Sequence, residues 1–395
     1  MKKSLFALAA VTAFAGAAQA QSSVTVYGIL DMSFTGKTNK LPSGATTNTT
    51  QFEGNGSEST SRIGFRGRED LGGGTAAFFT AEFQLYGTQE NLSGNALGGL
   101  NNRQTFVGLS QKGIGQAAIG TQYTPIHIAI SRNDAGQQNN VVGQAVYAPT
   151  GTQGADTNSA AYTVRQYNSL TAQSDRFAGF VVSGMYVNNN SSTSAAPGAA
   201  SSVVTTANNQ GYALGINYVW KKLNADAIYQ VFKSENATVA GQTASALPAS
   251  TTRAAIGTNP NGASLQQTEM YFGANYDFGI LKAYAQYISR DAESTLNSRN
   301  YVKRTAQNIG VRGNFTPKIV GFGQIGNGRV TGVGATGPVT NPTTANFTSW
   351  QIGSDYILSK RTNLYAIYGA TQTSSTSTTR NASASQYAVG VRHTF

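Results

Sequence analysis

The sequence predicts an all-β protein: a transmembrane antiparallel β-barrel of sixteen strands. Three observations carry this. Segments of about ten residues alternate apolar and polar side chains with period two, the pattern of a strand with one apolar and one wet face. The connections between those segments are alternately short and long. The composition is low in charge, 11% Asp, Glu, Lys and Arg, and rich in Gly (45) and Tyr (19), where soluble domains carry about 25% charged residues. Such a chain suits closed β architectures, because glycine and β-branched residues form helices poorly.

The amino terminus reads as an export signal. Met1-Lys2-Lys3 is positive, Leu5 to Gly16 is apolar, and Ala18-Gln19-Ala20 is a small-x-small site, so residues 1–20 are expected to be a Sec signal peptide cleaved after Ala20. Residues 21–395 are then one barrel domain. The apolar run is shorter than the roughly 20 residues of a spanning helix, and no later window is long and apolar enough, so any membrane crossing falls to strands. There is no cysteine, which excludes disulfides, thiol catalysis and thiolate metal sites together. The formal charge of +11 falls by two with the loss of Lys2 and Lys3. The remaining excess is scattered, without a run of basic residues, which argues against nucleic acid as a partner.

The first eight strands are expected at Val24 to Gly36, Ser61 to Asp70, Thr75 to Tyr86, Arg103 to Gln111, Gly115 to Gln122, Ala161 to Thr171, Phe177 to Asn188 and Gly211 to Trp220. The second eight are expected at Leu223 to Glu235, Thr268 to Asp277, Leu281 to Glu293, Lys303 to Asn314, Lys318 to Arg329, Phe347 to Leu358, Arg361 to Thr373 and Ser385 to Phe395. The last shows the alternation clearly. Tyr387, Val389, Val391 and Phe395 fall on one face, and Ala388, Gly390, Arg392 and Thr394 on the other, with His393 the polar intruder on the apolar side. Short turns such as Lys221-Lys222 and Thr316-Pro317 on one side of a membrane, and long polar loops on the other, are the expected arrangement of a spanning barrel. Aromatic residues including Tyr27, Phe34, Phe79, Tyr271, Tyr276, Tyr284, Trp350, Tyr365 and Tyr368 are expected to form interfacial girdles.

The longest connection, Tyr123 to Ala160, is the third long one. Loops of this length in compact folds are functional or disordered. A sixteen-stranded barrel leaves an aqueous channel, so the loop either folds into the lumen and restricts it or lies over the mouth. Alternation in the second strand sets Ile63 and Phe65 against Arg62, Gly64, Arg66 and Arg68, which puts arginines on the wet inner face. Thr163, Arg165 and Tyr167 are similarly expected opposite Tyr162 and Val164. Glu82 projects inward, and Asp134 and Asp156 lie in the long loop; with Arg66 and Arg68 these are the further lumen charges.

Several blocks resemble the general trimeric porins of β-proteobacteria. They are Ser22-Ser23-Val24-Thr25-Val26-Tyr27-Gly28-Ile29-Leu30-Asp31, the stretch from Ser61-Arg62-Ile63-Gly64-Phe65-Arg66-Gly67 to Gly74, Asn102-Arg103-Gln104-Thr105-Phe106-Val107-Gly108-Leu109, Gly120-Thr121-Gln122-Tyr123-Thr124-Pro125, and the terminal Phe395. The resemblance implies a sixteen-stranded homotrimer in the Gram-negative outer membrane, with its third long loop in the lumen. It implies a pore constriction with a basic wall at Arg62, Arg103 and Arg165, and a terminal aromatic, Phe395, read by the outer-membrane assembly machinery. The expected function is a water-filled channel for passive diffusion of small hydrophilic solutes and ions, moderately anion-selective because fixed positive charge in a narrow section favours anions. Gln122 departs from the pattern, where relatives commonly carry a basic residue, and this weakens the local positive field.

No enzyme is expected. Catalysis of the hydrolytic kind needs a nucleophile beside a base, and the two histidines, His127 and His393, have no such constellation near them in the sequence. No cofactor is implied, and the spacing of Glu53, Glu58, Asp134 and Asp156 matches no calcium loop. The alternatives to a diffusion channel are an outer-membrane enzyme on a barrel scaffold, such as a lipase or protease, which this lack of a constellation disfavours, and an adhesin or structural barrel with a blocked lumen, which bilayer conductance separates from an open pore.

Overall fold

A computed structural model of the chain describes residues 23–94, 99–147, 162–193, 205–238, 265–295, 301–332, 343–375 and 381–395. The expected signal peptide, including its cleavage site, lies outside the described residues. Seventeen strands run in order: β1 Ser23–Lys40, β2 Thr46–Glu53, β3 Arg62–Gly72, β4 Thr75–Gln84, β5 Asn101–Gln111, β6 Gly115–Tyr123, β7 Arg165–Ser174, β8 Phe180–Thr193 and β9 Thr205–Trp220. They continue with β10 Leu223–Thr238, β11 Leu265–Asp277, β12 Leu281–Ser294, β13 Tyr301–Asn314, β14 Ile319–Gly332, β15 Thr343–Ile357, β16 Thr362–Ser375 and β17 Ala382–Thr394. Among the described residues one helix, α1 Pro125–Asn133, interrupts them.

Sixteen strands pair antiparallel with their neighbours into a closed barrel, as expected. The ring closes where β1 meets β17, from Ile29 opposite Thr394 to Lys40 opposite Ser383. Gly28 and Phe395 exchange both backbone hydrogen bonds, each at 3.1 Å, so pairing reaches the final residue. Gly28 also leaves room for the Phe395 ring, since a Cβ there would lie 2.4 Å from its Cζ. Closure matters because an open edge in lipid leaves backbone groups without partners.

β2 was not expected. It is a Thr- and Asn-rich segment without apolar alternation, and it folds back on the end of β1, pairing Ser33–Lys40 with Thr46–Glu53. It extends the first hairpin beyond the ring rather than adding a stave. Backbone pairing holds it, with the Thr38 hydroxyl donating to Asn48 at 2.9 Å and Phe52 against Phe34, and its lack of apolar alternation is why hydrophobic periodicity gave no sign of it.

The two faces separate as alternation requires. The outer face carries exposed Val107, Leu109, Ile119, Leu214, Ile325, Ile352 and Val389, and the inner face carries buried Asp31, Glu82, Asp226, Glu269, Arg290, Arg304, Gln351 and Asp355. Of the expected girdle, Phe34, Phe79, Tyr276, Trp350 and Tyr368 lie outside. Tyr271, Tyr284 and Tyr365 are corrections: all three are buried on the inner face. Tyr27 is inside too, donating to Glu82. Each has the parity of the polar residues on its own strand, so ring type alone misassigned it.

The wall is uneven in height. β3 to β7 have 9 to 11 residues, whereas β8 to β17 have 13 to 16. The turns at the short-connection end are built for sharp reversal. Gly72, Gly73 and Gly74 are successively left-handed (φ +82, +60 and +81), and the Asp70 carboxylate accepts the Gly72 N–H at 2.9 Å.

Candidate functional site: a basic wall facing the third long connection

The third long connection begins with α1. Thr124 caps the helix, its hydroxyl accepting the His127 N–H at 3.4 Å, and Pro125 occupies the first turn, where it loses no hydrogen bond. Ile126, Ala129 and Ile130 form a buried apolar stripe, and the wall offers matching apolar residues, Ile228, Tyr271, Ile288 and Ala306, on its inner face. Burying one such isoleucine stabilises by about 1.5–3 kcal/mol, which gives this connection a reason to lie on the wall.

Polar contacts then fasten the connection to one strand after another. Arg132 pairs with Asp226 at 2.5 Å, and Asn133 donates to the same carboxylate at 2.7 Å. Arg312, paired with Asp355 at 2.5 Å, donates to the Ala135 carbonyl at 3.3 Å. Asn139 and Gln351 exchange hydrogen bonds of 2.7 and 2.9 Å. At Val142 the connection passes so close to β16 that a Cβ on Gly369 would lie 1.8 Å from the Val142 carbonyl oxygen. Asn140 meets the end of the first long connection, its N–H donating to the Ser57 carbonyl and its side chain to that of Gly56, both at 2.8 Å. Asp226, Gln351 and Asp355 are buried and share the parity of the other buried polar residues on their strands.

On the opposite, lower wall the three arginines come together. Arg103 donates through Nε to Glu82 at 2.8 Å and through Nη2 to the Tyr123 hydroxyl at 2.5 Å. Arg62 approaches Glu82 at 3.7 Å and holds the Thr60 carbonyl at 2.8 Å. Arg165 stacks over the Tyr123 ring at 5.3 Å. Arg62 and Arg103 thus share the Glu82 carboxylate, and Arg165 adds a third guanidinium beside them at Tyr123, which leaves net positive charge on this wall. The poor alternation of β5 has a local cause. The β4–β5 register slips between Glu82 and Phe83, which lets Arg103 face inward together with Gln104 and Phe106.

The remaining expected lumen charges divide. Arg66 lies over the Tyr27 ring at 5.1 Å, and Arg68 reaches the Ser110 hydroxyl at 2.9 Å, so β3 presents a ladder of three arginines. Asp134 turns away from the arginines, accepting the N–H groups of Gly136 at 3.3 Å and Gln138 at 2.6 Å. Burial pushes its carboxyl up to about 6. Asp156 lies outside the described residues. What the third connection brings beside the arginines is aromatic. His127 stacks on Tyr123 at 4.4 Å and meets the Tyr162 hydroxyl at 2.9 Å, with Tyr147 nearby. Burial, then the charges of Arg165, Arg103 and Arg62, hold the His127 imidazole well below its ordinary range, so it is neutral. His393 sits on the outer face, bonded to Thr362 at 2.9 Å.

The expected pattern at 162–167 needs correction. Tyr162, Thr163 and Val164 precede β7 and are all buried. Thr163 bonds to Glu269 through its N–H at 2.9 Å, and Thr124 bonds to the Thr163 carbonyl at 2.7 Å. Within β7, left-handed Asn168 (φ 49) and the irregularity opposite Gly120 shift the parity, so Tyr167 is exposed on the outer side while Arg165 remains at Tyr123. Gln122 is buried in the wall, bonded to the Ala118 and Ser169 carbonyls at 3.0 and 3.3 Å.

Sequence reasoning passed over a second charged cluster. Arg290 and Arg304 are direct cross-strand partners, both buried, and Glu269 lies 3.4 Å from Arg290. Arg304 also donates to the Ala145 carbonyl and lies over the Phe347 ring at 5.0 Å. The inward parity of β11, β12 and β13 was the available signal. A third group ties the first long connection to the wall: Glu58, at its end, faces Arg392 of β17 at 3.8 Å and accepts from Asn363 of β16 at 2.8 Å. Burial and the nearby Asp355 push the Glu58 carboxyl up to about 7.

Comparison with known proteins agrees with this architecture. A family model described as Gram-negative porin matches residues 7–376. An outer membrane porin protein of Bordetella pertussis is 27% identical, with all of both chains covered. Outer membrane porin protein 32 of Delftia acidovorans is 30% identical over 71% of this chain and 68% of its own. Among solved structures, the anion-selective porin from Comamonas acidovorans superposes with a TM-score of 0.65 at 21% identity, covering 95% of this chain and 100% of that one. These relatives are channels of the outer membrane rather than enzymes, and the chain belongs with them to the Gram-negative porin family.

Proposed function

We propose that this porin forms a water-filled channel through which small hydrophilic solutes and ions diffuse passively, with moderate preference for anions. The constriction lies between the basic wall of Arg62, Arg103 and Arg165 and the third connection, whose described residues supply neutral aromatic groups there. The observation that carries the reading is the excess of guanidinium over carboxylate: Arg62 and Arg103 share Glu82, and Arg165 stacks over Tyr123 beside them. A Comamonas relative of the same fold is named anion-selective. Fixed charge acts on ions only within about a Debye length, about 8 Å at physiological salt, so this narrow section sets the preference. The test is the reversal potential of single channels in a KCl gradient. Cation preference overturns the reading of selectivity, and electrical silence overturns the channel.

A homotrimer fits the uneven wall. The short strands β3 to β7 present Phe65, Phe79, Val107, Leu109 and Ile119 outward, an apolar strip suited to contact with another low wall. Cleavage after Ala20 and recognition of Phe395 by the assembly machinery complete the proposed route to the outer membrane. Phe395→Ala is expected to lower the amount of folded, heat-modifiable protein in outer-membrane fractions while leaving the exported precursor unchanged. Equal folded yield overturns the role of Phe395.

The reading also carries a pH dependence. Below about pH 7 the Glu58 carboxyl is protonated and neutral, and above it Glu58 adds a negative charge to the inner surface. Anion preference is therefore expected to weaken as pH rises from about 6 to 8, and Glu58→Gln is expected to flatten this response. Reversal potentials recorded across that range check it.

A further inference from the structure

Water-facing residues of a porin wall are polar by default, yet Phe78 of β4 and Phe106 of β5 have inward parity and are not among the residues packed under the third connection. Their rings pair edge to face at 6.3 Å. The wall makes room for them: a Cβ on Gly108 would lie 2.6 Å from the Phe78 ring. Across from them Ile128, on the unburied side of α1, is 41% exposed. These apolar groups line a cavity of about 260 Å³ that also touches Tyr123 of the basic wall.

Two guanidinium groups complete the lining. Arg132 keeps 39% of its side chain exposed while paired with Asp226. Arg176 reaches in from the β7–β8 turn, held by the Gly179 carbonyl at 2.5 Å and the Asn217 side-chain oxygen at 2.8 Å, both neutral acceptors. Two cations against the single carboxylate of Asp226 leave the cavity positive. A dry cavity of about 150 Å³ is known to accept benzene, so this one has room for a single ring with a charged substituent. Leaving apolar surface in water costs about 25 cal/mol per Å², and a ligand ring against Phe78, Phe106 and Ile128 would recover part of that.

We propose that this cavity is a subsite for small aromatic monocarboxylates of benzoate size, with the ring against Phe78, Phe106 and Ile128 and the carboxylate toward Arg176 and Arg132. It rests on the channel reading and refines the solutes that the channel favours. An anion leaving the arginine wall at Tyr123 would meet this cavity next, so a bound aromatic carboxylate would obstruct the chloride current.

The test uses wild-type channels in planar bilayers in KCl, with benzoate, acetate or benzyl alcohol added in turn. Benzoate is expected to halve the current at a concentration about tenfold below that of acetate, and benzyl alcohol to leave it unchanged. In the Phe78→Ala/Phe106→Ala variant benzoate and acetate become alike, while the KCl reversal potential stays as in wild type. Arg176→Gln raises the concentration of benzoate required. Equal effects of benzoate and acetate on the wild-type channel overturn the subsite whatever the reversal potential shows. Cation preference with the benzoate effect intact overturns only the selectivity. This wild-type comparison stands even if a variant fails to fold.

Discussion

The Arg62→Ala/Arg103→Ala/Arg165→Ala variant is expected to exchange anion preference for cation preference. In water a unit charge about 8 Å away contributes about 0.5 kcal/mol to the energy of a passing ion. Three guanidinium groups together contribute about 1.5 kcal/mol, or about tenfold in anion occupancy, before screening. Removing them also strips Glu82 of Arg103 at 2.8 Å and Arg62 at 3.7 Å. Of the cluster around Tyr123 only the negative charge of Glu82 is then left, so the preference reverses rather than vanishing. Adding Glu82→Gln to the triple variant should bring the reversal potential close to that of a neutral pore. Conductance should rise with the loss of three long side chains. An unchanged reversal potential in the triple variant would place the selective section elsewhere.

The second large effect is on stability. Glu269→Gln keeps the shape of a side chain that has no solvent exposure but removes the carboxylate beside two buried arginines facing one another across β12 and β13. Breaking a buried ion pair from one side costs about 3–5 kcal/mol, because the partner charge stays behind. Here two such charges stay behind, and Thr163 loses a charged acceptor for its N–H and hydroxyl. The expected result is a clear fall in the temperature at which the folded band is lost on unboiled SDS gels. Glu69→Gln, at an exposed position of β3, serves as the control and should leave that temperature unchanged. Equal transitions for the two variants would show that the cluster is energetically idle.

Period two made most of the barrel legible, because burial on one face is a strong constraint on residue type. It failed where another constraint replaced lipid and water. β2 pairs along its backbone and needs no apolar face, so its Thr-rich sequence looked like loop. Tyr271 and Tyr365 looked like girdle residues because nothing local distinguishes a ring facing lipid from one buried under a loop or bonded to Asp31. Tyr167 changed sides through left-handed Asn168 and the register irregularity opposite Gly120, which periodicity cannot anticipate. In the candidate site, Arg62 and Arg66 followed from alternation in β3. Arg165 was also placed inward by alternation, although the alternation around it fails at Tyr167, and Arg103 came through family resemblance, since the register irregularity beside it obscures its parity. The aromatic surroundings of the arginines were not legible at all, because Tyr123, His127, Tyr147 and Tyr162 meet only once the chain between them has folded back on itself.

The seam between β1 and β17 sets an order in time. Every other stave of the ring meets partners close to it along the chain, and hairpins of that kind form quickly, whereas joining distant segments carries the full entropic cost of closing the intervening loop. β1 finds β3 early, through Ser23–Ile29, but its other edge waits for Ile29–Lys40 to meet Ser383–Thr394. Until then a row of backbone donors and acceptors on the earliest strand has no companion, and hydrocarbon offers none. A curved sheet with that edge shielded must therefore exist before the cylinder does.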